Sequence, residues 1–138
     1  MNYGVHLVLR LVNIERRQAL EEAATISDFL KALVSRVGMR ILAGPLTAEE
    51  TGPGEKRGMS GVVILYESHA ALHTYPELGE AFLDIFSCKV YETSAVLEML
   101  EEFFGSYSIL EQDQFDRGIH WGADIHAEMD TWRSRRGK

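Results

Sequence analysis

Residues 60 to 88 read SGVVILYESHAALHTYPELGEAFLDIFSC. Ser60 to Glu67 is an apolar, β-branched run that predicts a strand, and His69 to Tyr75 is a second extended segment stopped by Pro76. Ala81 to Cys88 is a third. Strands joined by connections this short pair antiparallel.

Outward from this stretch, Gly4 to Val12 alternates. Val5, Leu7, Leu9 and Leu11 fall on one face and His6, Val8, Arg10 and Val12 on the other, as in a central strand. Ile26, Phe29, Leu30, Leu33, Val34 and Val37 repeat at helical spacing. They predict an amphipathic helix that begins near Gln18 and is closed by Gly38. Met39 to Ala43 is a short strand, and Gly44 to Gly58, rich in glycine, proline and charge, reads as a long exposed loop. Val96, Leu97, Leu100, Phe103 and Phe104 predict a second helix over Ser94 to Phe104, and Ser106 to Leu110 a last strand. The expected fold is α+β: a two-layer sandwich with an antiparallel sheet, two main helices on one face and a β-α-β-β-β-α-β order. Residues 1–111 form its domain and 112–138 an appendage, part helix and part disordered.

The chain has 138 residues, 46% of them hydrophobic and 25% charged, which suits one globular domain with its own core. Fourteen basic residues against 21 acidic ones give a formal charge of −7, which disfavours nucleic acid as a partner. With no apolar run near the ~20 residues of a membrane span and no signal-peptide pattern, the expectation is a cytoplasmic protein without a membrane partner. The single cysteine, Cys88, cannot form an internal disulfide. His120 and His126 lack the spacing of a helical metal pair, so no metal is expected.

Taken singly, the polar residues of 60–88 have ordinary readings: a turn serine, a packed histidine, an outward aspartate. Together, Ser60, Glu67-Ser68-His69, His73-Thr74, Pro76-Glu77, Asp84 and Cys88 gather a nucleophile, a base and a thiol within 29 residues.

At these residues the sequence resembles the prokaryotic S-adenosylmethionine decarboxylases, which make their own pyruvoyl cofactor. The matching motifs are Ser60-Gly61-Val62-Val63, Glu67-Ser68-His69, Leu72-His73-Thr74-Tyr75-Pro76-Glu77 and Asp84-Ile85-Phe86-Ser87-Cys88. Ser68 to His73 is five residues and Ser68 to Cys88 twenty, as the family has them, and the likeness covers about residues 4–110.

The resemblance implies that the Ser68 hydroxyl attacks the Glu67 carbonyl and converts the amide to an ester. His73 then removes the Ser68 α-proton, a role suited to imidazole. β-Elimination leaves chains 1–67 and 68–138, the second headed by a pyruvoyl group made from Ser68. Ser60 assists processing by hydrogen bonding; eight residues from Ser68, it shares that residue's face if the strand is regular. The pyruvoyl acts as an electron sink, and Cys88 matches the proton donor that completes decarboxylation. Glu67, Tyr75 and Glu77 are implied at the substrate, Glu77 on the ribose hydroxyls. A homodimer is likewise implied.

Three positions depart from the family pattern. Tyr75 replaces tryptophan, and Lys89 replaces a glycine, which matters if that site has positive φ. The segment 45–57 holds no aromatic residue where the family carries a phenylalanine that stacks on adenine. The substrate is therefore read as a small cationic amino-acid type: S-adenosylmethionine, feeding spermidine synthesis, or alternatively arginine or ornithine. A reading of another class makes the chain an unprocessed, non-catalytic binding subunit.

Overall fold

The structure is a computed structural model and describes residues 4–117. Strand β1 (Gly4–Val12) leads through a 3-10 segment (Arg17–Glu21) into helix α1 (Ala23–Arg36). Four strands follow: β2 (Ile41–Glu50), β3 (Gly58–Leu65), β4 (Ser68–Tyr75) and β5 (Glu80–Ser87). Helix α2 (Thr93–Phe104) and strand β6 (Ser108–Arg117) complete the described chain. All neighbours in the sheet, ordered β2-β3-β4-β5-β1-β6, are antiparallel.

The α+β architecture expected from the sequence is thus observed, with β1 inside the sheet. Four strands lie between the helices, matching the four segments read from the sequence and one more than the expected β-α-β-β-β-α-β order holds. The segment expected as a loop from Gly44 is mostly strand, since β2 runs to Glu50 and pairs with β3. Its register shifts between Ile41 and Ala43 and again between Ala43 and Leu46, and most of its side chains are exposed. An edge strand with broken register shows no period-two burial, so only glycine and proline mark it in the sequence. Strand β6 likewise runs to Arg117, so the expected boundary after residue 111 falls within a strand. His120, His126 and the remaining tail lie outside the described residues.

One face of the sheet carries the core. Leu7, Leu9 and Leu11 of β1, Val63 and Leu65 of β3, Leu72 of β4, and Leu83 and Ile85 of β5 are all buried. They cluster with Ile26, Phe29, Leu30 and Leu33 of α1 and Val96, Leu100 and Phe104 of α2. The helices meet through Phe29, whose ring centroid lies 5.1 Å from that of Phe104. A Cβ on Gly61 would lie 2.7 Å from Ile26 and 2.9 Å from Leu30, so glycine lets α1 settle close on β3. Helix α1 ends as expected at Gly38: with φ at +74°, its N–H bonds Ser35 O while the Met39 N–H bonds Val34 O.

Among the described residues, no helix lies over the opposite face. Val62 and Ile64 stand exposed there at 39% and 50%. No helix among the described residues is long and apolar enough to cross a membrane.

Candidate active site

The expected site residues fall into two groups at opposite ends of β4. Leu65 pairs with Ser68, so Tyr66 and Glu67 alone form the β3–β4 turn. The Glu67 carbonyl accepts the backbone N–H of Cys88 at 2.9 Å. Ser68 has φ at +149°, a conformation ordinarily left to glycine that costs a side-chain-bearing residue about 1–3 kcal/mol. The most strained position of β4 is thus the residue after the expected scissile bond. Cys88, just past β5, exposes its thiol. Lys89 is not among the positive-φ residues, so its replacement of glycine needs no special backbone. Its N–H instead bonds Ser87 Oγ at 2.9 Å, and its ammonium bonds the Gly38 carbonyl at 2.6 Å.

The second group surrounds His73, which lies directly across the ladder from Ser60. Ser60 Oγ and His73 Nδ1 are 2.8 Å apart on the open face of the sheet. The neighbouring Thr74 anchors the strand from below: its buried hydroxyl donates to Leu20 O at 2.7 Å and accepts the Met59 N–H at 3.2 Å. With Thr74 facing the core, alternation turns His73 outward. His73 lines an open groove of about 430 Å³ with Tyr75, Phe82 and Asp84. The Tyr75 and Phe82 rings cross at 85° with centroids 6.1 Å apart. Glu77, in the following turn, is exposed; its carbonyl accepts from the Arg17 guanidinium at 2.9 Å.

Two expectations change. The regular strand that would put Ser60 and Ser68 on one face is interrupted by the two-residue turn, which sets Ser60 across from His73 instead. Nor does the strand bring His73 to Ser68. Five residues of extended chain separate them, about 17 Å at ~3.4 Å per residue, far beyond proton-transfer distance.

Sequence reasoning also passed over Phe82 and Arg40. Arg40 precedes β2, and its backbone N–H donates to Glu67 Oε1 at 2.9 Å. Twenty-seven residues separate it from Glu67, and no local pattern links them.

Two arrangements with chemical capacity therefore occupy one sheet: a strained serine beside a hydrogen-bonded carbonyl, and a histidine oriented by a hydroxyl. Residues 5–118 match the family model described as S-adenosylmethionine decarboxylase. The chain is 36% identical over 121 residues to an S-adenosylmethionine decarboxylase proenzyme of Thermomicrobium roseum, covering 84% of this chain and 94% of that one. A proenzyme of the same name from Methanococcus vannielii is 34% identical over 85 residues, 62% of this chain and 65% of that protein, so the chain spans just under two thirds of its length. The fold resembles the crystal structure of the adenosylmethionine decarboxylase from Aquifex aeolicus, with a TM-score of 0.67 at 21% identity, covering 86% of this chain and 92% of that one. With the motif spacing, the strand order and a family match that runs from β1 through β6 in agreement, this chain belongs to the S-adenosylmethionine decarboxylase family.

Proposed function

We propose that the chain is a proenzyme that cuts itself between Glu67 and Ser68 and then decarboxylates S-adenosylmethionine by means of a pyruvoyl group made from Ser68. The observation that carries this reading is the pairing of a strained Ser68 with a Glu67 carbonyl held at 2.9 Å by the Cys88 N–H. When Ser68 Oγ attacks that carbonyl, negative charge develops on the oxygen that this N–H already faces. Collapse breaks the C–N bond, forms the ester and relieves the strained backbone. His73 then takes the Ser68 α-proton, and the Glu67 carboxylate leaves. Addition of water and loss of ammonia turn the remaining dehydroalanine into the pyruvoyl.

For His73 to act as a base, its Nδ1–H donates to Ser60 Oγ, which leaves Nε2 with the working lone pair. Its distance from Ser68 within one chain supports a homodimer in which the Ser60–His73 pair of one copy serves Ser68 of the other. Val62 and Ile64, exposed beside Ser60 on the open face, are apolar enough to be covered by that second copy.

The pyruvoyl, once formed, supplies an electron sink for the decarboxylation. The residues at its position suit it: a ketone at residue 68 would lie outside the core, next to a Glu67 whose carbonyl accepts the N–H of the exposed Cys88. Cys88 Sγ–H returns a proton to the substrate carbon that loses carbon dioxide. Glu77 and Tyr75, at the His73 end of one copy, take the substrate for the pyruvoyl of the other, the negative chain favouring a cationic ligand. A cytoplasmic setting is consistent with a small metabolite as substrate.

Intact-mass measurement with a carbonyl-trapping reagent tests the reading. The expected result is two chains, residues 1–67 and 68–138, with the reagent on the second. Decarboxylation of S-adenosylmethionine, but not of arginine or ornithine, completes it. A single intact chain without activity refutes it.

A further inference from the structure

The Glu67 side chain raises a question of its own. It is only 8% exposed, although it sits in a turn, and carboxylates are seldom buried without partners. Its partner is residue 40. The Arg40 N–H donates to Glu67 Oε1 at 2.9 Å, while the Arg40 carbonyl accepts the Tyr66 N–H at 3.1 Å. One backbone unit ahead of β2 therefore clips both residues of the β3–β4 turn. From the other side, the Cys88 N–H holds the Glu67 carbonyl. A residue tied at both its side chain and its carbonyl cannot rotate its peptide plane away from the residue that follows.

We propose that the Glu67 side chain is a positioning group for self-cleavage, holding the scissile carbonyl against Ser68 Oγ by accepting the Arg40 N–H. This rests on the self-cleavage reading above. The step it serves balances without a co-reactant: the Oγ–C bond forms, the C–N bond breaks, and the hydroxyl proton passes to the Ser68 nitrogen.

The role needs an acceptor oxygen at the reach of a glutamate and does not need a negative charge. Glutamine supplies that oxygen; aspartate is one methylene short, and alanine has none. The Arg40 guanidinium matters little, because its Nε lies 3.8 Å from Oε2 and the side chain is 74% exposed. Its other contact is with the Tyr66 ring, 4.7 Å from the centroid. A role for Glu67 based on charge, such as gripping a substrate amine or acting as a base, makes the opposite forecast: glutamine fails as badly as alanine.

The experiment is done in the His73→Ala background, which stops processing at the ester. Hydroxylamine cuts esters and spares amides, so the initial rate of release of fragment 1–67 reports the acyl shift alone. Glu67→Gln is expected within about threefold of the parent, and Glu67→Ala and Glu67→Asp about ten- to a hundredfold slower. Arg40→Ala, which keeps the backbone N–H, stays within about threefold. If Glu67→Ala fails to fold, the contrast between Gln and Asp decides. Release from Glu67→Gln as slow as from Glu67→Asp or Glu67→Ala overturns the proposal, and so does release from Glu67→Ala at the parent rate. A parent without any hydroxylamine-sensitive bond removes the self-cleavage reading, and the positioning role with it.

Discussion

In the proposed mechanism Cys88 has two separable functions, one in its backbone and one in its side chain, and two substitutions pull them apart. Cys88→Ala removes the thiol and keeps the N–H that bonds Glu67 O at 2.9 Å. Cys88→Pro removes both. Proline is compatible with the position locally: the preceding Ser87 is already extended in β5, as a residue before proline prefers. In the uncut protein the lost hydrogen bond to a neutral carbonyl costs about 0.5–1.5 kcal/mol of stability. In the acyl shift the same oxygen becomes an oxyanion, and loss of one such donor slows reactions of this type by about 10²–10³, or roughly 3–4 kcal/mol. That rate loss is already the excess of the oxyanion's cost over the ground state's, so it appears in full in the rate. The assay is the half-time of self-cleavage by intact mass, with circular dichroism confirming that each variant is folded. Cys88→Ala should cut at close to the parent rate and then decarboxylate poorly. Cys88→Pro should fold and cut at least about a hundredfold more slowly. Cleavage by Cys88→Pro within tenfold of the parent would refute the oxyanion role, and arrest of cleavage by Cys88→Ala would refute the division of labour.

Ser68→Ala should remain a single chain of 138 residues by mass, since the residue after Glu67 then has no Oγ to attack the Glu67 carbonyl. Ser68→Ala and His73→Ala should each be silent alone, but their co-expression should cut about half of the His73→Ala chains, because the partner's histidine reaches the intact serine; the 1–67 fragment on a gel reads this out. Gly61→Ala should lower the melting midpoint, as its Cβ would crowd Ile26 at 2.7 Å and Leu30 at 2.9 Å, an overpacking worth about 1–3 kcal/mol. Burial pushes the Tyr91 hydroxyl up to about 12, and that hydroxyl donates to Ile85 O. The folded state thus keeps a proton that the unfolded chain releases above its ordinary value of 10, so the contribution is complete below pH 10 and lost as pH rises toward 12. Denaturant titrations across that window should show a larger loss in the parent than in Tyr91→Phe, which keeps only the smaller contribution of Tyr107, also pushed up by burial.

Much of the fold is legible from the sequence because the core faces only one side of the sheet. Leu7, Leu9 and Leu11, and again Ala81, Leu83 and Ile85, are buried at every second position, and that alternation survives in the letters. Edge strands lack it. In β2 no side chain is buried, and the register shift around Gly44 and Pro45 breaks the two-residue period. The outer part of β6 pairs with β1 while reading as polar surface, Gln112 through Arg117. Pairing through backbone groups leaves no mark on side-chain pattern. Site residues follow the same division. The identities of Ser60, Ser68, His73 and Cys88 are visible in motif spacing. The carbonyl held by the Cys88 N–H and the side chain held by the Arg40 N–H are backbone contacts, and spacing is blind to them.

That division bears directly on how the site is assembled. Counting along the sequence places His73 five residues from Ser68, which suggests neighbours; a strand turns those five residues into about 17 Å. Ser60 moves with His73, since the two face each other across the ladder at 2.8 Å between side chains. One chain therefore holds the proposed scissile bond at one end of β4 and the proposed base near the other, too far apart to meet without breaking the sheet. The same sheet has a face over which no helix lies among the described residues, where Val62 and Ile64 stand exposed on the strand that carries Ser60. A second copy laid antiparallel over that face covers the apolar residues and carries each base toward the other copy's turn. The proposed dimer thus answers two unrelated defects of the isolated chain with one contact. It follows that dilution below the dimer dissociation constant should slow self-cleavage in proportion to the dimer lost, whereas a reaction within one chain would proceed at a rate independent of concentration.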